Sequence, residues 1–286
     1  MSVICMGQFT IKFSPGTNFM KELFAKFHWN KAKAKQMYPI ISLTGGIAGI
    51  TGAVIGSFTM KYGRRFTFIM AFSIFIFGQF WKQYVVYWSY QVTIIICGIG
   101  NGMYTVLAPR YVEEIVLNKD FTFCMAMYHL VQSLAEFLGS LMTNILPDQA
   151  NNYELYFDHN YRWVLGMNMI YAVITFMGLF LILDHETPKF YLFNGDQEKA
   201  LKTLQIYQYD EDEDRQLREL IKKSNVKSIK VSCWDAFVKD PKFVRVSWMA
   251  MGITFFVCII GLTTIRHYSN PIFTALFEEN PTFIDA

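Results

Sequence analysis

The chain has 286 residues, of which 53% are hydrophobic, 17% aromatic and only 17% charged, with a mean hydropathy of +0.23. A soluble globular protein carries about 25% charged residues, so a soluble enzyme and a disordered chain are both excluded. A net charge of +3, without a basic stripe among stacking aromatics, gives no sign of nucleic acid; the composition is that of a polytopic membrane protein.

Residues 1–36 carry Lys12, Lys21, Lys26, Lys31, Lys33 and Lys35 against one acid, Glu22. Phe19, Leu23, Phe24 and Phe27 recur at roughly helical spacing, which predicts a basic amphipathic helix on the membrane surface. The segment lacks arginine, so an uncleaved helix is expected rather than a targeting leader. Residues 37–184 hold the first spans. A helix needs about 20 apolar residues to cross the hydrocarbon core. Gln36–Met60 is 25 residues without a charge, Phe66–Trp81 is 16, and Gln83–Pro109 is 27. Phe121–Pro147 is interrupted only by His129 and Glu136, and Trp163–Leu183 adds 21 residues. Residues 185–243 form a polar insert, because 20 of the 49 charges lie between Gly195 and Lys242. The last span, Val246–Ile265, belongs to residues 244–286, and the expected total is six.

Within the first span, Gly45, Gly49, Gly52 and Gly56 make two small-xxx-small pairs, which let helix backbones approach closely. Packing inside a bundle is the expected use, ahead of dimerisation. Gly98, Gly100 and Gly102 lie inside an apolar run with no preceding strand, so they are not a nucleotide loop. In the fourth span His129, Gln132 and Glu136 lie at i, i+3 and i+7, on one helix face. An ionisable residue inside the membrane marks a candidate site, here for solute or protons. The acidic run Asp210–Asp214 is expected to be a solvated helix N-terminus. Cys5, Cys97, Cys124, Cys233 and Cys258 are odd in number and lack CxxC spacing, and the five histidines lack ligand spacing. No disulfide framework, metal, cofactor or enzymatic constellation is indicated.

The helix ends carry more specific residues. Gly63-Arg64-Arg65 follows the first span, and Pro109, Tyr111 and Glu114 close the third in a PxYxxE pattern. Arg162-Trp163 opens the fifth, His185-Glu186-Thr187-Pro188-Lys189 closes it, and Gly195 to Ala200 follows. In order and spacing, over roughly residues 38 to 275, these resemble the sugar porter family of the major facilitator superfamily. The resemblance implies an all-α fold whose six spans correspond to helices two to seven of twelve, with the insert as the intracellular helical domain. Helix one is expected to be missing or reduced to a stub around Met6–Ile11.

By the same resemblance Arg64, Arg65, Glu114, Glu186 and Lys189 form the family's cytoplasmic charge cluster. The cluster is expected to be incomplete: an acidic position falls on Met60, and an Arg-Gly pair falls on Phe121-Thr122. The sugar-binding positions are degenerate, with His129 for a glutamine, Val257 and Cys258 for paired glutamines, and Thr263 for an asparagine. The arginine of proton-coupled members falls on Ile94, and its acidic partner belongs to helix one. His129, Gln132 and Glu136 are therefore expected to be a vestigial site.

These losses point to a non-transporting accessory subunit of a larger membrane complex, in contact with other subunits and lipid. The alternative is an active sugar-type carrier that works as a homodimer or with a separate second half. An organellar membrane, the mitochondrial inner membrane being one candidate, is expected ahead of the plasma membrane. Six spans would put both termini opposite the Gly63-Arg64-Arg65 loop, leaving the six lysines on the side the positive-inside rule disfavours. Either a partner holds that segment along the surface, or the count is short by one.

Overall fold

The computed structural model describes residues 2–13, 23, 26–116, 120–142, 161–182, 185–207 and 241–259. All the elements among them are helical: α1 (Ser2–Lys12), α2 (Lys31–Thr59), a 3-10 turn (Met60–Tyr62), α3 (Arg64–Trp81), α4 (Tyr87–Ile115), α5 (Phe121–Met142), α6 (Tyr161–Ile182), α7 (Pro188–Phe193), α8 (Gln197–Tyr207) and α9 (Pro241–Ile259). The chain falls into two units divided after Ser224, the first holding α1–α8 and the second α9.

In the first unit α4 is the central helix. At 29 residues, it is flanked by α2 and α3 and reaches α5 and α7. It buries side chains along its length, from Tyr90 and Thr93 to a cluster of Tyr104, Leu107, Ala108, Tyr111 and Val112 in the half nearer its C-terminus. That cluster packs with Phe68 and Phe72 of α3, Tyr128 of α5 and Leu179 of α6. The apolar residues that remain exposed on α2, among them Leu43, Ile47, Ile50, Val54 and Phe58, fall on one side of that helix. A soluble protein would not leave such a stripe in water; lipid or protein covers it. The stretches Ala32–Tyr62 and Tyr87–Ile115 are each long and apolar enough to cross a bilayer on their own.

Glycine sets how closely α2 and α4 approach. A Cβ on Gly52 would overlap the backbone of Ile99, and one on Gly102 would overlap the backbone of Gly49. A Cβ on Gly56 would lie 2.9 Å from the Cα of Met103. The glycine face of the first span is therefore turned inward against α4, as expected for bundle packing. Gly46, by contrast, faces open space.

The segment read as a surface helix behaves differently at its start. Ser2–Lys12 is a helix, but it is packed between α5 and α6, with Ile4, Gln8 and Thr10 buried. Ile4 joins the main core cluster, and its carbonyl accepts from the Tyr104 hydroxyl of α4. At the other end of α1 the Phe13 carbonyl accepts from Asn168, near the start of α6. From Ile4 beside Tyr104 to Phe13 beside Asn168, the helix thus runs in the direction away from Arg64. Residues 14–22, the first part of the amphipathic stretch, lie outside the described residues, and Leu23 is fully buried against Ile41, Tyr90 and Leu165.

The helical start expected at Gly195-Asp196 is α8. The acidic run Asp210–Asp214 lies outside the described residues. In the second unit α9 carries apolar residues on several faces, including Val246, Trp248, Met249, Ile253 and Phe256, as a helix surrounded by lipid or protein does.

Candidate functional site

Two polar constellations are built into the apolar frame. The first lies at the end where α2 hands over to α3. Gly63 adopts φ 137, in the region that favours glycine, and the Glu186 carboxylate occupies the space a Cβ would need. That carboxylate accepts from the backbone N–H groups of Arg64 (2.8 Å), Arg65 (3.0 Å) and Phe66 (3.4 Å), the first turn of α3. A helix N-terminus offers unpaired donors and a positive dipole end, so it holds an anion well. The Arg64 side chain then reaches across to α4. Its Nε and Nη2 donate to the two oxygens of Glu114 at 2.9 and 2.8 Å, a bidentate pair in which Glu114 is only 1% exposed. Thr187, which caps α7, donates its hydroxyl to Glu114 Oε2 at 2.8 Å. The guanidinium also lies over the Phe190 ring, 5.8 Å from its centroid.

Of the five predicted cluster residues, Arg64, Glu114 and Glu186 are joined directly, and Arg65 joins through its backbone. Lys189 sits half-buried in the first turn of α7 and makes no ion pair among the described residues. Thr187 is the member that motif matching missed, although a threonine before a proline at a helix start is itself a capping signal. At the two positions expected to lack charge, the chain uses other groups. Met60 supplies its backbone carbonyl to Arg64 Nη1 at 3.3 Å, and Phe121 packs against the core.

The second constellation is inside the membrane. Gln132 Nε2 donates to Glu136 Oε1 at 3.1 Å along α5, and Gln8 Nε2 of α1 donates to Gln132 Oε1 at 2.8 Å. Gln132 is the twelfth of the 22 residues of α5, so the seam lies near mid-span. Gln8 is 2% exposed, and its Oε1 has no hydrogen-bond partner among the described residues. On its other side α1 is fastened to α6 by a Thr10–Thr175 hydroxyl pair at 2.8 Å. The sequence grouped His129, Gln132 and Glu136. The structure joins the last two, adds Gln8, and leaves His129 exposed and outside the chain of bonds.

The remaining predicted positions fall elsewhere. Ile94 packs at the Leu23–Tyr90 cluster, and α1 holds no acid, so the arginine–acid pair implied for proton-coupled members has neither partner. Val257 and Cys258 lie on α9, and Thr263 lies outside the described residues.

A bundle of membrane-length helices, latched by charges at one end and bearing polar groups at mid-depth, is the architecture of a polytopic transporter of the major facilitator type. The profile of the family described as "Sugar (and other) transporter" matches residues 3–284, and the chain belongs to that family. It is 26% identical over 251 residues to the glucose transporter GlcP of Staphylococcus epidermidis, a match covering 82% of this chain and 51% of that protein. It is 26% identical over 237 residues to a D-xylose transporter of Levilactobacillus brevis, covering 81% and 48%. The chain spans about half the length of the curated relatives it matches. Among solved structures it resembles the xylose transporter XylE from E. coli in a partially occluded inward-open conformation. The TM-score is 0.66 at 16% identity, covering 78% of this chain and 58% of that one. A second XylE structure, bound to 6-bromo-6-deoxy-D-glucose, gives 0.65 and covers 77% and 51%. At that identity the likeness shows the fold.

Proposed function

We propose that the protein is a carrier of sugar-type solutes, not an enzyme, and that its translocation path is completed by a second six-helix half. The observation that carries this reading is the Gln8–Gln132–Glu136 seam. Keeping a carboxylate and two amides at mid-membrane, across two helices, is expensive for a helix bundle that has only to stand still. The latch of Arg64, Glu114, Glu186 and Thr187 supports the same reading. Charge-assisted bonds at the ends of separate helices can be made and broken as a unit, and rocking of one half against the other needs such contacts.

One observation favours the accessory-subunit reading instead: Val257 and Cys258 stand in α9 where the resemblance implies amides. Under that reading the partners are other subunits and lipid, in an organellar membrane such as the mitochondrial inner one. Uptake of radiolabelled hexoses and pentoses into proteoliposomes containing the purified chain decides between the two. The carrier reading expects saturable uptake of at least one sugar, reduced at least tenfold by Glu136→Gln. No uptake of any sugar, together with elution alongside a fixed set of companion proteins in mild detergent, sinks it in favour of the accessory role.

A further inference from the structure

We propose that Glu136, Gln132 and Gln8 form a proton-linked relay, in which the ionisation of Glu136 decides whether Gln8 presents a hydrogen-bond acceptor or a donor at the far end. The inference rests on the carrier reading above. In the structure both amides donate in one direction, Gln8 to Gln132 and Gln132 to Glu136. An ionised carboxylate can only accept, so the neighbouring amide must turn its NH2 toward it. That choice points the Gln132 carbonyl at Gln8, which in turn must offer its own NH2. The Gln8 carbonyl oxygen is left at the outer end, buried and without a partner among the described residues. An unmade bond at a buried acceptor costs about 1–3 kcal/mol, so the orphan needs a reason.

Protonation supplies the reverse arrangement. A protonated Glu136 is a donor; Gln132 then accepts with Oε1 and gives its NH2 to Gln8 Oε1 once both amides have turned over. One proton is bound at Glu136 and none moves further, because only the amides rotate. The two arrangements contain the same number of bonds within the chain. An ionised Glu136 enforces the first arrangement, whereas a protonated one, with an O–H beside its remaining acceptor oxygen, opens the second, so Gln8 ends in a carbonyl before protonation and gains access to an NH2 end after it. A solute hydroxyl fits both ends, since it can donate to the carbonyl and accept from the amine, whereas an ammonium group can only donate. The relay thus suits a polyhydroxylated solute.

Other titratable groups share the helices packed here. Among them are Cys5 and Lys12 on α1, Cys124, Tyr128 and His129 on α5, Tyr104, Tyr111 and Glu114 on α4, and Arg162 and Tyr171 on α6. Of these, His129 stands two turns from Glu136 on the same helix, and the test must separate it.

The experiment is infrared difference spectroscopy of the full chain in lipid nanodiscs, taken between high and low pH with no solute present. Acidification is expected to produce a protonated-carboxyl band together with a shift of side-chain amide carbonyl bands. Glu136→Gln should lose the amide shift and the component of the carboxyl band that Glu136 contributes among the chain's 23 acidic residues. Gln132→Met, which keeps the volume but removes the amide, should keep the carboxyl band and lose the amide shift. His129→Gln should change neither. Thermal unfolding of each variant confirms that it is folded, and should Glu136→Gln fail that control, Gln132→Met and Gln8→Met still decide the matter. An amide shift that survives Gln132→Met or Glu136→Gln overturns the relay, as does a wild-type carboxyl band with no amide shift. Because no solute is used, a working relay without sugar uptake rejects only the carrier reading, and uptake without an amide shift rejects only the relay.

Discussion

Arg64 is the residue on which the latch turns. Its two bonds to Glu114 neutralise a carboxylate that is 1% exposed, and no other cation among the described residues pairs with it within 4.0 Å. Arg64→Ala would leave that charge buried alone, and breaking a buried pair in this way costs about 3–5 kcal/mol. Arg64→Lys keeps the charge but loses the planar fork, so its thermal unfolding in detergent should fall between wild type and Arg64→Ala. If all three unfold together, the pair is ornamental. Thr187→Val removes both the hydroxyl bond to Glu114 and the cap of α7, a loss of about 1–2 kcal/mol in the same assay. Arg64, Glu114 and Glu186 were legible in the sequence because motif spacing names them. Thr187 and Gln8 were not, because their partners lie 73 and 124 residues away and nothing local announces the pairing.

Among the elements, the close packing of α2 was readable though its partner α4 was not, and α1 was expected only as a stub around Met6–Ile11. Glycines four apart advertise a close helix contact whatever the partner. They also give a paired prediction. Gly52→Ala and Gly102→Ala drive a methyl group into the facing backbone and should each cost about 1–3 kcal/mol, since overpacking there cannot be relieved by rotating a side chain. Gly46→Ala, on the same helix but facing open space, should be neutral or stabilising by up to about 1 kcal/mol from helix propensity. Thermal unfolding of the three variants side by side checks both; equal effects would mean that α2 does not use this face. Helix α1 escaped a count of apolar runs for a physical reason. It is 11 residues long and carries Gln8, Thr10 and Lys12, so no 20-residue window reaches the threshold. Gln8 and Thr10 are tolerable there because Gln132 and Thr175 on other helices pair with them. A composition scan cannot see satisfaction that comes from another helix.

At the scale of the whole molecule, the direction of α1 bears on the conflict over topology. The six-span count put the amino terminus opposite the Arg64 latch, whereas α1 runs from Ile4, whose carbonyl accepts from the Tyr104 hydroxyl, to Phe13 beside Asn168, away from the latch. A further pass that includes α1, itself only 11 residues long, is the expectation to be tested. The lysine-rich stretch between α1 and α2 still falls at the far end, where Lys33 lies over Trp29 at 5.6 Å and Lys82 over Tyr90 at 5.7 Å. Aromatic faces stabilise a desolvated ammonium by about 0.5–2 kcal/mol, which helps to hold charge on a side where loop lysines are usually scarce. A definite topology follows. An epitope placed before Ser2 and another inserted at Gly195, in the turn between α7 and α8, should be cut or protected together in sealed vesicles. A third at Lys31, where α2 begins, should show the opposite pattern. If the Lys31 epitope shares a side with the Gly195 one, α2 does not span the membrane in the direction the latch requires. If instead the Ser2 epitope lies with Lys31, α1 does not complete a pass, and the Gln8–Gln132–Glu136 seam loses the helix that carries its first member.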